Sequence, residues 1–186
     1  TPIQMAKMAS IVATNGRVVQ PRLFKASRLR RTGNLKVEPE SPFQQLSIPP
    51  NVFAHIKEGL AAVVTKGTAQ RAKSDMVSIA GKTGTAQVVA LKPDGDKDKN
   101  KELPKEFRDH AWFVAFAPVE HPRIAVAVLV EHMGHGGSAS APLAKALIEA
   151  YMKFQATPQE NSQYSDATDE RQCESPGTGY LRLVFP

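Results

Sequence analysis

The chain has 186 residues, 41% hydrophobic and 23% charged. These values fit one globular domain and exclude collagen-like and wholly disordered chains. Cys173 is the only cysteine, which excludes a disulfide scaffold. The net charge of +6 is ordinary for a soluble domain. The basic clusters Lys25–Arg31 and Lys92–Arg108 hold a single aromatic residue, Phe107, and no nucleic-acid motif occurs, so nucleic acid is not an expected partner. The apolar runs Ala111–Val119 and Ile124–Val130 are far shorter than the ~18 residues of a membrane span. No signal peptide is visible at Thr1.

Thr1 as N-cap, Pro2 at the first helical position and Gln4 three residues on predict a helix start. Ile3, Met5, Ala6, Met8, Ala9 and Ile11 cover most of its surface, which predicts a largely buried helix. Asn15-Gly16 supplies its stop. Val18–Pro21 reads as extended. Lys25–Ser47 is polar and basic, broken by Gly33, Pro39 and Pro42, and reads as a surface loop or short hairpin. A second helix follows Pro49-Pro50-Asn51, with the stripe Val52, Ile56, Leu60 and Val63 and with Phe53 and Val64 alongside, and ends near Lys66-Gly67. Thr68 is positioned to cap a short turn through Arg71 and Lys73.

Three strands follow in the reading: Val77–Val89, Ala111–Ala117 and Ile124–Val130. Both faces of the last two are apolar, which predicts helices on both sides of their sheet. The short Pro118–Pro122 connection predicts an antiparallel hairpin. A final helix is expected at Ala141–Phe154, with Leu143, Ala146, Leu147, Ala150, Tyr151 and Phe154 as its apolar face. From Gln155 the composition turns polar, and residues 155–186 are expected to form a disordered tail. The closing Tyr180–Pro186 is apolar again and receives no assignment.

Gly81-Lys82-Thr83-Gly84-Thr85-Ala86-Gln87 carries the chemistry. A phosphate-binding P-loop is excluded, because Met76 stands where that motif needs glycine and Thr85–Val89 is strand-like rather than helical. A bland glycine-kinked strand is one remaining reading. The other is the Lys-Thr-Gly element of penicillin-interacting enzymes, the third motif after Ser-x-x-Lys and Ser-x-Asn/Asp. A lysine beside a serine nucleophile attracts an anionic substrate and helps move protons. Hydroxyls at Thr83 and Thr85 bind a carboxylate, and a strand N–H stabilises a developing oxyanion. Such a strand also accepts an extended peptide.

The likeness extends beyond this element. Thr1-Pro2-Ile3-Gln4-Met5, Gly67-Thr68-Ala69, Lys82-Thr83-Gly84-Thr85-Ala86-Gln87, Arg108-Asp109-His110, Ala115-Phe116-Ala117-Pro118 and Val126–Glu131 occur in order. Together they resemble the C-terminal part of the transpeptidase domain of class B penicillin-binding proteins, in the subgroup of penicillin-binding protein 2. The resemblance spans residues 1–154. It implies an α+β fold, a five-stranded antiparallel sheet between helices, of which the three strands here are the third, fourth and fifth. It implies that Lys82 lies across the cleft from the nucleophilic serine and that Thr83 and Thr85 hold the carboxylate of a peptidoglycan stem peptide or a β-lactam. It also implies that the Thr85 N–H forms half of an oxyanion hole and that Gly84 keeps the strand surface open. No cofactor is implied. A membrane glycan polymerase and other elongation proteins are the implied partners, at the periplasmic side of a bacterial inner membrane.

No Ser-x-x-Lys and no Ser-x-Asn or Ser-x-Asp occurs in the chain. The expectation is therefore a fragment of a D,D-transpeptidase, inactive alone, whose nucleophile lies before Thr1 in a longer parent. The alternative is a stand-alone, non-catalytic module that binds peptide or protein. Asp94, Asp96, Asp98 and Asn100 imitate a calcium loop, but Lys99 and Lys105 occupy its glycine and glutamate positions. Lys92–Arg108 reads instead as a solvated insertion. His132 and His135 lack a third metal ligand and read as part of a flexible loop that borders the cleft in the resembled family. Asp109 and His110 have two readings, catalytic helpers or structural hydrogen-bonding residues, and the structural one is preferred.

Overall fold

The computed structural model describes residues 1–24, 26–28, 31–39, 42–89 and 104–156. Helix α1 is Pro2–Ala13. Its start follows the sequence signal: Gln4 Oε1 accepts from the Thr1 amino group at 2.8 Å and from the Thr1 hydroxyl at 2.9 Å. Its end is set by Asn15 and Gly16, both at positive φ. Gly16 is needed there twice over, because φ is +92° and an added Cβ would meet the Phe53 ring at 2.9 Å.

Four short strands form an arm between the first two helices. The strands are β1 (Arg17–Val18), β2 (Ala26–Arg28), β3 (Leu35–Val37) and β4 (Gln44–Gln45). β2 pairs antiparallel with β3, so the expected loop contains the short hairpin, and β1 pairs with β4 to close the arm's base. The Arg17 guanidinium lies 4.1 Å over the Phe43 ring, a cation–π contact that reinforces the closure.

Helix α2 is Pro50–Thr65. Its inward face keeps the expected Phe53, Leu60, Val63 and Val64 and loses Val52 and Ile56. Phe53 and Val64 are buried, and Leu60, Ala61 and Val63 pack partly, whereas Val52 and Ile56 are exposed. Phe53 anchors the first turn against Gly16, and this rotates the helix away from the 52/56 line. Lys57 lies near that rotated face, and burial pushes its ammonium below its usual range. A 3₁₀ turn at Gln70–Ala72 follows.

Strands β5 (Ala80–Ala86), β6 (His110–Ala117) and β7 (Ile124–Val130) form an antiparallel meander. β5 is shorter than the expected Val77–Val89. Helix α3, Ser140–Ala156, packs on β6 and β7. One core joins Phe113, Ala115, Val128, Ala144 and Ile148, and a second joins Ala13, Ala80 and Phe116 on the α1 side. The sheet is thus covered on both faces, as its two apolar sides require, and the architecture is the expected α+β arrangement of an antiparallel sheet flanked by helices.

Two helix faces need correction. α1 buries only Ala9 and Ala13 fully, while Ile3 and Met8 are exposed, so it is a half-covered helix rather than a largely buried one. α3 turns Ala141, Ala144 and Ile148 to the sheet and leaves Leu143, Leu147 and Phe154 outside. Small residues let the helix axis approach the strands, and that close approach selects the narrow face over the bulky one. Most of the 92–108 insertion and everything from residue 157 on lie outside the described residues, including Asp94, Asp96, Asp98, Asn100 and Cys173. The described end of the insertion holds a 3₁₀ turn at Lys105–Phe107.

Candidate active site

The site is built on β5. Successive side chains of a strand alternate between faces, so Thr83 and Thr85 share the α3 side with their register partners Phe113 and Ala111. Lys82 and Gly84 share the opposite side with Val114 and Trp112. Lys82 is exposed and folds along the strand so that its Nζ donates to the Thr83 carbonyl at 2.9 Å. The two-sided arrangement therefore brings its ammonium back to the residue that carries the site's first hydroxyl.

The hydroxyls of Thr83 and Thr68 lie 2.8 Å apart. Thr68 does not cap the turn after α2, as the sequence suggests. Ala69 holds the N-cap position there, and the Thr68 side chain is turned to β5 instead. The same turn brings Arg71, whose Nη1 donates to the Ser138 carbonyl at 3.3 Å. Sequence reading gives neither residue a role at the site. The Gly67-Thr68-Ala69 block is visible in the sequence, but its closeness to Thr83 exists only after α2 folds back on β5.

A glycine loop, 134–137, closes the other side. A Cβ on Gly136 would strike the Trp112 carbonyl oxygen and come within 2.7 Å of the Gly84 carbonyl oxygen. One on Gly137 would strike the Thr68 carbonyl oxygen. Both glycines are thus required by close backbone approach rather than by φ. The loop leads into α3, where the Ser140 and Ala141 N–H groups donate to the Gly136 carbonyl at 3.0 and 2.9 Å. The buried Ser140 hydroxyl donates to the Ala111 carbonyl at 2.8 Å. Gly81, at the inner end of β5, is equally constrained: an added Cβ would lie 2.6 Å from the Val114 carbonyl oxygen and 2.6 Å from the Phe113 ring.

Of the residues singled out in the sequence, Thr83 meets Thr68 and Gly84 meets the glycine loop, with Lys82 and Thr85 beside them on β5, while Arg71 reaches Ser138 just past that loop. Among the described residues no group of three His, Cys, Asp or Glu side chains is placed to hold a metal. No helix of the described residues is long and apolar enough to cross a membrane. An extended surface with a lysine, paired hydroxyls and a close backbone wall is suited to holding an anionic, peptide-like ligand.

Comparison with known proteins gives the family. The family model of the penicillin binding protein transpeptidase domain matches residues 1–149. The peptidoglycan D,D-transpeptidase MrdA of Haemophilus influenzae is 40% identical over 159 residues, covering 82% of this chain and 24% of that protein. The penicillin G acyl-enzyme complex of penicillin-binding protein A from M. tuberculosis superposes with a TM-score of 0.63 at 30% identity, covering 82% of this chain and 32% of that one. The complex of PBP2 with MreC from Helicobacter pylori gives a TM-score of 0.60 at 26% identity, covering 82% of this chain and 25% of that one. The chain thus spans about a quarter of the length of the curated relative and a third or less of these structures. The chain belongs to the penicillin-binding protein transpeptidase family, in its class B, penicillin-binding protein 2 branch.

Proposed function

We propose that this chain forms the Lys-Thr-Gly wall of a peptidoglycan D,D-transpeptidase active site whose serine nucleophile belongs to a longer parent. In the parent reaction the serine oxygen attacks the penultimate D-Ala carbonyl, the terminal D-Ala leaves, and the acyl group passes to an acceptor amine. Lys82 supplies positive charge across the cleft from the serine and serves proton movement there. Thr83 and Thr85 bind the carboxylate of the stem peptide or of a β-lactam, and the Thr85 N–H stabilises the oxyanion. The observation that carries this reading is that Thr68, from the turn after α2, meets the Thr83 hydroxyl of β5 while the Lys82 ammonium folds back onto the Thr83 carbonyl. The acyl-enzyme state of the mycobacterial relative supports β-lactam acylation of the parent, and the MreC complex of the Helicobacter relative supports an elongation-protein partner. The same kinship supports a periplasmic location for the parent.

The reading is tested by joining the chain to its Ser-x-x-Lys segment and following acylation by a fluorescent penicillin. Lys82→Ala is expected to slow acylation about 100-fold, as losing a site's charge-stabilising donor does. Unchanged labelling would remove the assigned role. The chain by itself is expected to form no covalent adduct. An adduct would show a nucleophile within residues 1–186. Tight reversible capture of stem peptide by the chain alone would favour the stand-alone binding module.

A further inference from the structure

The 131–137 loop is laced to the start of β6 by three hydrogen bonds, and in one of them the partner at the start of β6 is a side chain that the proposed chemistry does not use. We propose that His110 is a positioning residue of this site: by accepting the His132 N–H at its Nδ1, it holds the glycine loop against β5.

The geometry dictates the state of both rings. The His132 backbone N–H donates to His110 Nδ1 at 3.0 Å. His110 Nδ1 must therefore carry a lone pair, so the ring is neutral with its proton on Nε2. His132 Nδ1 lies 3.2 Å from the Arg108 carbonyl, which can only accept, so the His132 ring donates there. The two rings meet edge to face with centroids 4.6 Å apart. The Gly134 N–H completes the lacing by donating to the Asp109 carbonyl at 2.9 Å.

This lacing sits at a costly turn. His132 has φ +58° and Gly134 φ +76°. A non-glycine residue in that region persists only where its surroundings hold it. Two positions beyond Gly134, the backbone of Gly136 lies on the carbonyls of Trp112 and Gly84, and Gly137 lies on that of Thr68. A released His132 would thus free the segment that lines Gly84 and the Thr68–Thr83 pair. The bonds to Arg108 and Asp109 use backbone carbonyls and survive any side-chain change at position 110. The His110 bond is the one that a substitution there can remove.

The proposal rests on the active-site reading for its effect on acylation, while the latch itself is read independently. All three measurements use the catalytically complete protein, this chain together with its Ser-x-x-Lys segment. His110→Asn keeps an acceptor near the Nδ1 position, His110→Gln moves it outward, and His110→Ala removes it. The Asn variant is expected to acylate with labelled penicillin within about threefold of the parent. The Gln and Ala variants should be slower by about five- to tenfold, the weight of one hydrogen bond. Hydrogen exchange at the His132 and Gly136 amides should rise by a similar factor in Gln and Ala and stay low in Asn. The ¹⁵N spectrum should show His110 as the Nε2–H tautomer. Equal behaviour of Asn and Gln, unchanged loop exchange in Ala, or the opposite tautomer would each overturn the latch. If Ala fails to fold, the Asn–Gln pair decides. A Lys82→Ala control that leaves acylation intact would remove the active-site reading, and exchange would still judge the latch.

Discussion

The hydroxyls of Thr68 and Thr83 share one hydrogen bond at 2.8 Å, so one of them donates to the other. The acceptor's own proton then remains free to point at a ligand anion. The pair therefore presents one directed donor, and either member's loss disorders it. Thr68→Val is expected to slow acylation in the complete protein by about five- to tenfold, the share of a single hydrogen bond. Gly81→Ala has a different signature. Its new methyl meets a backbone carbonyl at 2.6 Å, which cannot swing away. A loss of about 1–3 kcal/mol is expected in denaturant unfolding. A third case concerns pH. Glu120 accepts from the Ser78 hydroxyl at 2.6 Å. That bond, then one from its own backbone, holds its carboxyl below the ordinary 4.5. A depressed carboxyl stabilises the fold above its ordinary value and loses that contribution as pH falls through the folded value. Ser78→Ala should return the Glu120 midpoint toward ordinary, as a carbon-detected titration would show. The strand that carries Lys82, Thr83, Gly84 and Thr85 was legible because these residues are consecutive. Thr68 was not, because fifteen positions separate it from Thr83.

Helix α3 has two apolar sides, and its packing chooses between them. Leu143 and Leu147 look like the core by bulk, yet each is at least half exposed, while Ala144 is fully buried. Small side chains bring a helix nearer to a sheet, and the denser dispersion attraction at that short distance outweighs the wider burial of leucines. Ala144→Leu is accordingly expected to destabilise by about 1–3 kcal/mol through overpacking. Leu143→Gln should lie within about 0.5 kcal/mol of neutral. Chemical denaturation of both variants checks the assignment, and the reverse order would restore the bulky face as the buried one. Strand β7 matched its sequence reading end to end, because a short β-branched run between turn residues has few alternative structures. Helix faces were less legible, since periodicity finds an apolar stripe but does not say which of two stripes meets the sheet.

At the scale of the molecule, β7 is an outer strand among the described residues, paired with β6 alone. A groove of about 490 Å³ runs beside it, lined by Ile3 and Ala6 of α1, Ile124 and Val126 of β7, and Leu147 and Tyr151 of α3. Unpaired strand edges bordered by apolar surface template association. The isolated chain is expected to self-associate as concentration rises, as light scattering after size exclusion would show. A monodisperse monomer at high concentration would contradict this. The α+β class and the meander were legible from strand pattern and connection length. The groove was not, because it is formed by three elements far apart in the chain.

Trp112, Gly84 and Thr68 present carbonyl oxygens to a loop that has no side chain there to yield. The spacing between that loop and β5 is consequently set by main-chain atoms. It cannot be trimmed or enlarged by exchanging one residue for a slightly smaller or larger one, since any Cβ at Gly136 or Gly137 already overlaps a carbonyl. At this end the opening behaves as a fixed gauge. Adaptation to ligands of another breadth must come from the side chains that flank it or from movement of the loop as a whole.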